Sequence, residues 1–163
     1  MAAGSVSYAE RAGTYVLRFE GAIRYTLGHA LDTFLDSLFA RGDFDTILVD
    51  LTAAESIDST GLGLLAKIAN FVRSRNGSKP LLFCYNPDVL EVLKAICMDQ
   101  VFVLCDQAPE FGPVAALPET DPSKADLART VLSAHRLLCE MNENNRALFQ
   151  SVVDTLEKDL DAA

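Results

Sequence analysis

Two short and largely apolar runs, "TILVDL" at 46–51 and "PLLFCY" at 80–85, stand a helix length apart in this chain. Runs of this kind read as strands buried on both faces of a sheet. Such burial belongs to parallel strands joined by helical crossovers. The pattern on either side agrees. "SVSYAERAGTYVLRFEG" alternates across Ala12-Gly13 and predicts two strands in a hairpin. In "TLGHALDTFLDSLFARG", Leu27, Leu31, Phe34, Leu35 and Leu38 repeat every three or four residues, giving a helix that ends at Gly42. After "TILVDL" come a short loop, "TAAESI", and a second helix over roughly residues 60–75, closed by Asn76-Gly77. Asn86-Pro87 opens a third helix, "DVLEVLKAIC", and "VFVL" is a last short strand. The expected fold class is α/β, a mostly parallel sheet packed with helices.

From Cys105 to Ser123 the apolar period is lost, and four of the six prolines gather there. This reads as a linker, or an extended strap lying across the domain. Helical periodicity then returns. Leu127, Val131, Leu132, Leu138 and Cys139 mark one stripe, and Leu148, Val152, Leu156 and Leu160 another, with "NENN" at 142–145 between them. The expected organisation is a domain over 1–105, a proline-rich linker over 106–123, and over 124–163 a helical hairpin or one bent helix. The second stripe needs burial, on the chain's own domain, in a homodimer or against a further partner.

With 163 residues, half of them hydrophobic, the chain suits a single globular domain with a real core. Its formal net charge of -9 opposes binding to polyanions, so no nucleic-acid partner is expected. No run approaches the ~20 apolar residues of a membrane span, and the N-terminus lacks the order of a secretory signal. The four cysteines form no C-x-x-C pair and read as reduced thiols of a cytoplasmic protein. No cofactor or metal is expected, because His29 and His135 are far from any cysteine cluster.

Between strand and second helix stands "DSTGLG", residues 58–63. A dinucleotide loop fails here: the third glycine of G-x-G-x-x-G falls to alanine, and the first lies inside the expected helix. A P-loop string is absent. A nucleophile elbow needs G-x-S-x-G, but "SID" precedes Ser59, and both histidines fall in helical stretches without triad context. No enzyme is expected. Two readings of Ser59 remain: a helix cap, or a hydroxyl offered for modification at the positive end of a helix dipole. The glycines clear side chains from around it. On the helix itself, Leu62, Leu65, Ala66 and Ala69 make a core face, while Leu64, Ile68 and Phe71 add apolar surface elsewhere. That extra surface suits a docked partner, or the tail folded over it.

The stretch "ILVDLTAAESIDSTGLGLLAK" resembles the core motif of STAS domains, closest to the bacterial anti-sigma-factor antagonists. The match rests on Asp50, Thr52, Asp58, Ser59, Thr60, Gly61, Leu62 and Gly63, and on the order of elements over residues 5–104. The resemblance implies a STAS-like mixed sheet with a C-terminal helical extension. It implies that Ser59 is phosphorylated by a partner serine kinase that doubles as an anti-sigma factor. The unmodified form would bind that partner and free the sigma factor, and a PP2C-type phosphatase would restore the hydroxyl. Asp58, Thr60, Gly61, Leu62 and Gly63 would meet the partner. Two departures stand out. Where such antagonists carry an acidic residue in "G-x-[LIV]-D", this chain has "GAIR", placing Arg24 there either to pair with the phosphate or as a solvated strand end. The resemblance also stops near residue 105. Alternatives from other classes are a STAS subunit docking on a membrane transport ATPase without phosphorylation, and a small-ligand sensor using the helix start at Gly61.

Overall fold

A computed structural model describes residues 3–108 and 110–162. The outermost ends of the first and last expected segments, and Pro109 of the linker, lie outside the described residues. Strands β1 (Ser5–Arg11) and β2 (Thr14–Ile23) form the expected antiparallel hairpin. Its turn places Ala12 and Gly13 at φ 53° and 87°, the twist that a two-residue connection demands. A 3₁₀ turn (Tyr25–Leu27) leads into α1 (Gly28–Arg41), stopped by Gly42 in the left-handed region. Next come β3 (Thr46–Ile57), α2 (Ser59–Asn76), β4 (Leu81–Phe83), α3 (Pro87–Ala95) and β5 (Val103–Cys105). A two-residue strand β6 (Ala115–Ala116) and helices α4 (Lys124–Met141) and α5 (Glu143–Ala162) complete the order.

The sheet runs β5-β4-β3-β2-β1-β6, parallel from β5 to β2 and antiparallel at β1 and β6. This is the mixed, mostly parallel α/β sheet that the strand and helix alternation predicts. Leu17 and Phe19 of β2 and Ile47, Val49 and Leu51 of β3 are fully buried, in one cluster with Leu31, Leu35 and Leu38 of α1 and the apolar residues of α2. Tyr8 of β1 lies against Phe34 of α1, with ring centroids 4.9 Å apart, so α1 covers this face.

The structure corrects several expectations. "TAAESI" is strand, not loop: β3 continues to Ile57 because the long β2 offers partners as far as Ile23. Two register shifts, at Arg18/Glu20 and Gly21/Ala22, each take up one extra residue of β3 against β2. "VFVL" gives only its second half to a strand; Val101 and Phe102 sink into the core ahead of β5. The strap also holds a strand, β6, hydrogen-bonded to β1 at Ser7 and Tyr8. Before it, the Ala108 N–H donates to the Tyr85 hydroxyl and Phe111 meets Phe83; after it, Thr120 meets His29 of α1. The strap therefore passes around the edge of the sheet to the helical side.

There the tail folds back on the domain. Ser123 and Asp126 close a capping box at the start of α4, which packs on α2 and α1 and buries Leu132, Ala134, His135, Leu138 and Cys139. The second stripe differs from expectation. Leu148 and Val152 are 53% and 37% exposed, while Phe149, Val153, Leu156 and Leu160 face α4. Asn142 breaks the helix in extended geometry, and its side chain accepts from Asn145 N–H to start α5. Asn144 and the fully buried Asn145 then donate to the carbonyls of Ala95 and Ile96, which α3 leaves unpaired at its end. "NENN" is both a helix break and an anchor.

All four cysteines are free, with Cys84 and Cys139 buried. Burial raises both thiols above the ordinary value of 9.0, which keeps them protonated. No described helix is long and apolar enough to cross a membrane.

Lys67 of α2 bridges Asp32 and Asp36 of α1. Burial pulls its pKa down, but hydrogen bonds and charge from Asp32 and Asp36 outweigh this and raise it above 10.5. Lys67→Met leaves two carboxylates facing each other one helical turn apart and lowers stability by about 1–2 kcal/mol at neutral pH. A raised lysine pKa gives stabilisation that is complete below 10.5 and is lost as pH rises through the folded value. Urea titrations should show the gap between wild type and Lys67→Met narrowing above that pH; a gap that widens there would remove the ion pair from the account.

Candidate functional site

The extension of β3 delivers the "DSTGLG" segment to the sheet's end. Asp58 N–H donates to Ile23 O at 3.0 Å, fixing the chain beside the last residue of β2. Asp58 is then the N-cap of α2: Oδ1 accepts from Gly61 N–H at 2.9 Å and Oδ2 from Tyr25 N–H at 2.7 Å. One carboxylate thus ties the first turn of α2 to the 3₁₀ turn after β2, with both oxygens engaged by backbone. Ser59 occupies the first helical position. Asp58 is the cap, so the serine hydroxyl is left for other work.

That hydroxyl is half-buried and meets the tail. Ser59 Oγ lies 2.7 Å from His135 Nε2 of α4, a residue 76 positions away and only 4% exposed. His135 Nδ1 lies 2.6 Å from Val131 O. A carbonyl oxygen only accepts, so Nδ1 carries a proton, and in the neutral ring Nε2 accepts from the Ser59 hydroxyl. Phe149 of α5 packs edge-on against the imidazole at 5.6 Å. A serine hydroxyl on an oriented histidine has the outline of a nucleophile and its base. Here the orienting group is a backbone carbonyl and the pair sits between packed helices, so the bond clamps α4 to α2.

The motif glycines serve the same packing. A Cβ at Gly61 would come 2.8 Å from Ile57 Cγ1, so glycine lets the helix start tight against the end of β3. A Cβ at Gly63 would come 2.2 Å from the Ala134 carbonyl oxygen, so α4 lies directly on the α2 backbone. Thr60, Gly61, Leu62 and Gly63 are all buried. So are Leu64 and Ile68, and Phe71 stacks on Phe39 of α1 at 3.8 Å. The extra apolar surface of α2 is accordingly covered by this chain's own helices.

Of the other residues singled out from the sequence, Arg24 is exposed at the start of the 3₁₀ turn, its carbonyl accepting from Leu27 N–H. Asp50 and Thr52 lie elsewhere. The buried Asp50 carboxylate accepts from Thr52 N–H and Oγ1–H at 2.9 and 2.7 Å. With Arg18, Tyr85 and Phe111 they line a cleft of about 420 Å3 roofed by the strap. Sequence reasoning sets His135 aside as a metal ligand and as a base for Ser59, and does not place it or Ala134 at the site. No local signal marks them, since both matter only through a contact between distant helices.

The STAS domain family model matches residues 5–110, well over half of the chain. The chain belongs to the STAS domain family. Among solved structures it is similar to an anti-sigma factor antagonist from Mycobacterium paratuberculosis, at 19% identity and TM-score 0.56, covering 64% of this chain and 87% of that one. It is similar to the unphosphorylated anti-sigma factor antagonist SpoIIAA, at 15% identity and TM-score 0.53, covering 64% and 90%. The Bacillus cell fate determinant SpoIIAA in its phosphorylated form matches at 14% identity and TM-score 0.52, covering 63% and 93%. At these identities the likeness is one of fold. A comparison with curated protein sequences finds no match.

Proposed function

We propose that this chain is a phosphorylation-controlled partner-switching regulator acting in the cytoplasm, and not an enzyme. The observation that carries this reading is the division of labour at the start of α2. Asp58 caps the helix, and Ser59 keeps a hydroxyl at the first helical position, where the dipole favours an added dianion. Family membership and the fold shared with anti-sigma factor antagonists support it. Unmodified, the chain binds an anti-sigma factor that is also a serine kinase, through Asp58 to Gly63. Phosphorylation of Ser59 reverses the binding, and a PP2C-type phosphatase resets it. Arg24 acts on the same partner, a reading supported by its exposure beside the turn tied to Asp58.

The test begins with isolation of the chain from its native cells together with bound partners, whose kinase is then assayed with ATP. One phosphate, about 80 Da, should be gained and lost again in Ser59→Ala. A gain that survives this change, or maps to Thr60 or Ser56, sinks the assignment. Ser59→Asp should bind the partner roughly tenfold or more weakly than Ser59→Ala, because a charge at a close-fitting interface must be desolvated. Equal affinities in calorimetry would instead fit a STAS subunit docked without phosphorylation.

A further inference from the structure

Ser59 is only partly open to solvent, and the chain's own tail lies against its hydroxyl. We propose that docking of α4 on α2 and phosphorylation of Ser59 exclude one another, which makes the tail an intramolecular latch on the switch. This inference rests on the reading of Ser59 as the modified residue. Three observations carry it. The Ser59 oxygen that would accept the phosphoryl group is hydrogen-bonded to a buried imidazole whose other nitrogen is fixed on Val131 O. One turn further along α2, Gly63 has no room even for a methyl group before Ala134 O. Gly28 of α1, across from Thr130 and Thr60, narrows the same seam from a third side. A phosphoryl group brings three oxygens and nearly two charges into this seam. It fits only when α4 moves away.

The exclusion is reciprocal, as any linkage between two binding equilibria must be. While α4 is docked, a kinase sees only the fraction of molecules whose tail is open, and its apparent rate falls by that fraction. Once Ser59 carries phosphate, the closed state is the unfavourable one. The open state, in which Thr60 and Gly63 of α2 and Ala134 and Leu138 of α4 lose their cover, is the one a partner meets: with Ser59 unmodified it can bind there, and with Ser59 phosphorylated the added charge turns it away. The second anchor, Asn144 and Asn145 on the end of α3, sets how readily the tail opens without touching the serine.

Two experiments on the full-length chain separate the latch from the switch. In the first, phosphoserine is incorporated at position 59 during translation, so no kinase is needed, and amide hydrogen exchange is followed by mass spectrometry. Amides of α4 and α5 should exchange roughly a hundredfold faster than in the unmodified chain, while those of β2 and β3 stay protected. Unchanged protection of α4, or protection that increases because the phosphate pairs with His135, overturns the latch. In the second, the cognate kinase acts on wild type and on Asn145→Asp, which sets a buried carboxylate against Ile96 O. The variant should be phosphorylated roughly tenfold faster, as loss of a buried hydrogen bond to the anchor implies. Equal rates overturn the latch and leave Ser59 as the switch. Absence of phosphate in both proteins removes the switch instead, and the phosphoserine experiment still decides the latch.

Discussion

A chain ended at Asp121 should melt roughly 10–20 °C below the full-length protein. It should still fold cooperatively, because β1 to β5 and α1 to α3 hold most of the buried cluster. The loss comes from the seam. Leu138 and Ala134 are fully buried against the domain, and Leu62 and Leu64 of α2 lie within 3% of full burial in the same cluster. Burying a large apolar side chain stabilises by about 1.5–3 kcal/mol, so two or three of them amount to about 4–6 kcal/mol. For a chain of this length each kcal/mol moves the melting temperature by about 2–4 °C, or more for a smaller domain. Differential scanning calorimetry gives the answer. A shift of only a few degrees would mean that α4 is not part of the core. Light scattering should find one chain per particle in both proteins; a full-length dimer that becomes a monomer on truncation would place the apolar stripes between copies.

Gly63→Ala should change sign with the tail. In the full-length protein the new methyl meets Ala134 O at 2.2 Å, a backbone atom that cannot swing aside. Either α4 retreats or the seam opens, at a cost of about 3 kcal/mol or more, in the range of overpacked cores. In the chain ended at Asp121 that carbonyl is gone. Gly63 lies mid-helix, where alanine is favoured over glycine by about 1 kcal/mol. The same substitution should then be neutral or stabilising. Denaturant titrations of the four proteins form a double-mutant cycle with a coupling of about 3 kcal/mol or more. Destabilisation of equal size in both backgrounds would show that Gly63 answers to something other than α4.

The order of elements was legible because each strand and helix of the first hundred residues carries its own period. The left-handed stops at Gly42 and Gly77 were legible for the same reason. What escaped was set by partners rather than by local pattern. The middle of "TAAESI", Ala53 to Ser56, lacks strand formers and is strand only because β2 runs beside it. Ala115 and Ala116 carry no signal at all, and pair with β1 because the strap happens to turn the sheet's edge there. At the site, the acid, hydroxyl and glycines of 58–63 stood out at once. Their division of work did not: whether Asp58 or Ser59 caps is a matter of a few dihedrals. The contact that partly covers Ser59 is invisible in the sequence, because His135 sits in an unremarkable helix. The first half of the α5 stripe differs by one residue, since Phe149 and Val153 and not Leu148 and Val152 meet α4, while Leu156 and Leu160 face it as expected; a helix face shifts by about 100° with each position.

The pairing of β6 with β1 pins the chain at Ala116, only seven residues before the capping box at Ser123 begins α4. Even fully extended, seven residues reach only roughly 25 Å, so the start of a tail that leaves α2 stays within about the width of its own domain. On so short a leash its local concentration at the vacated surface is of millimolar order. Any incoming protein at cellular concentration therefore races against a competitor that never diffuses away. It prevails only through a far tighter grip on α2, or where the anchor of Asn144 and Asn145 on the end of α3 gives way. The length of a proline-rich connector thus sets the threshold at which the chain can exchange itself for a partner.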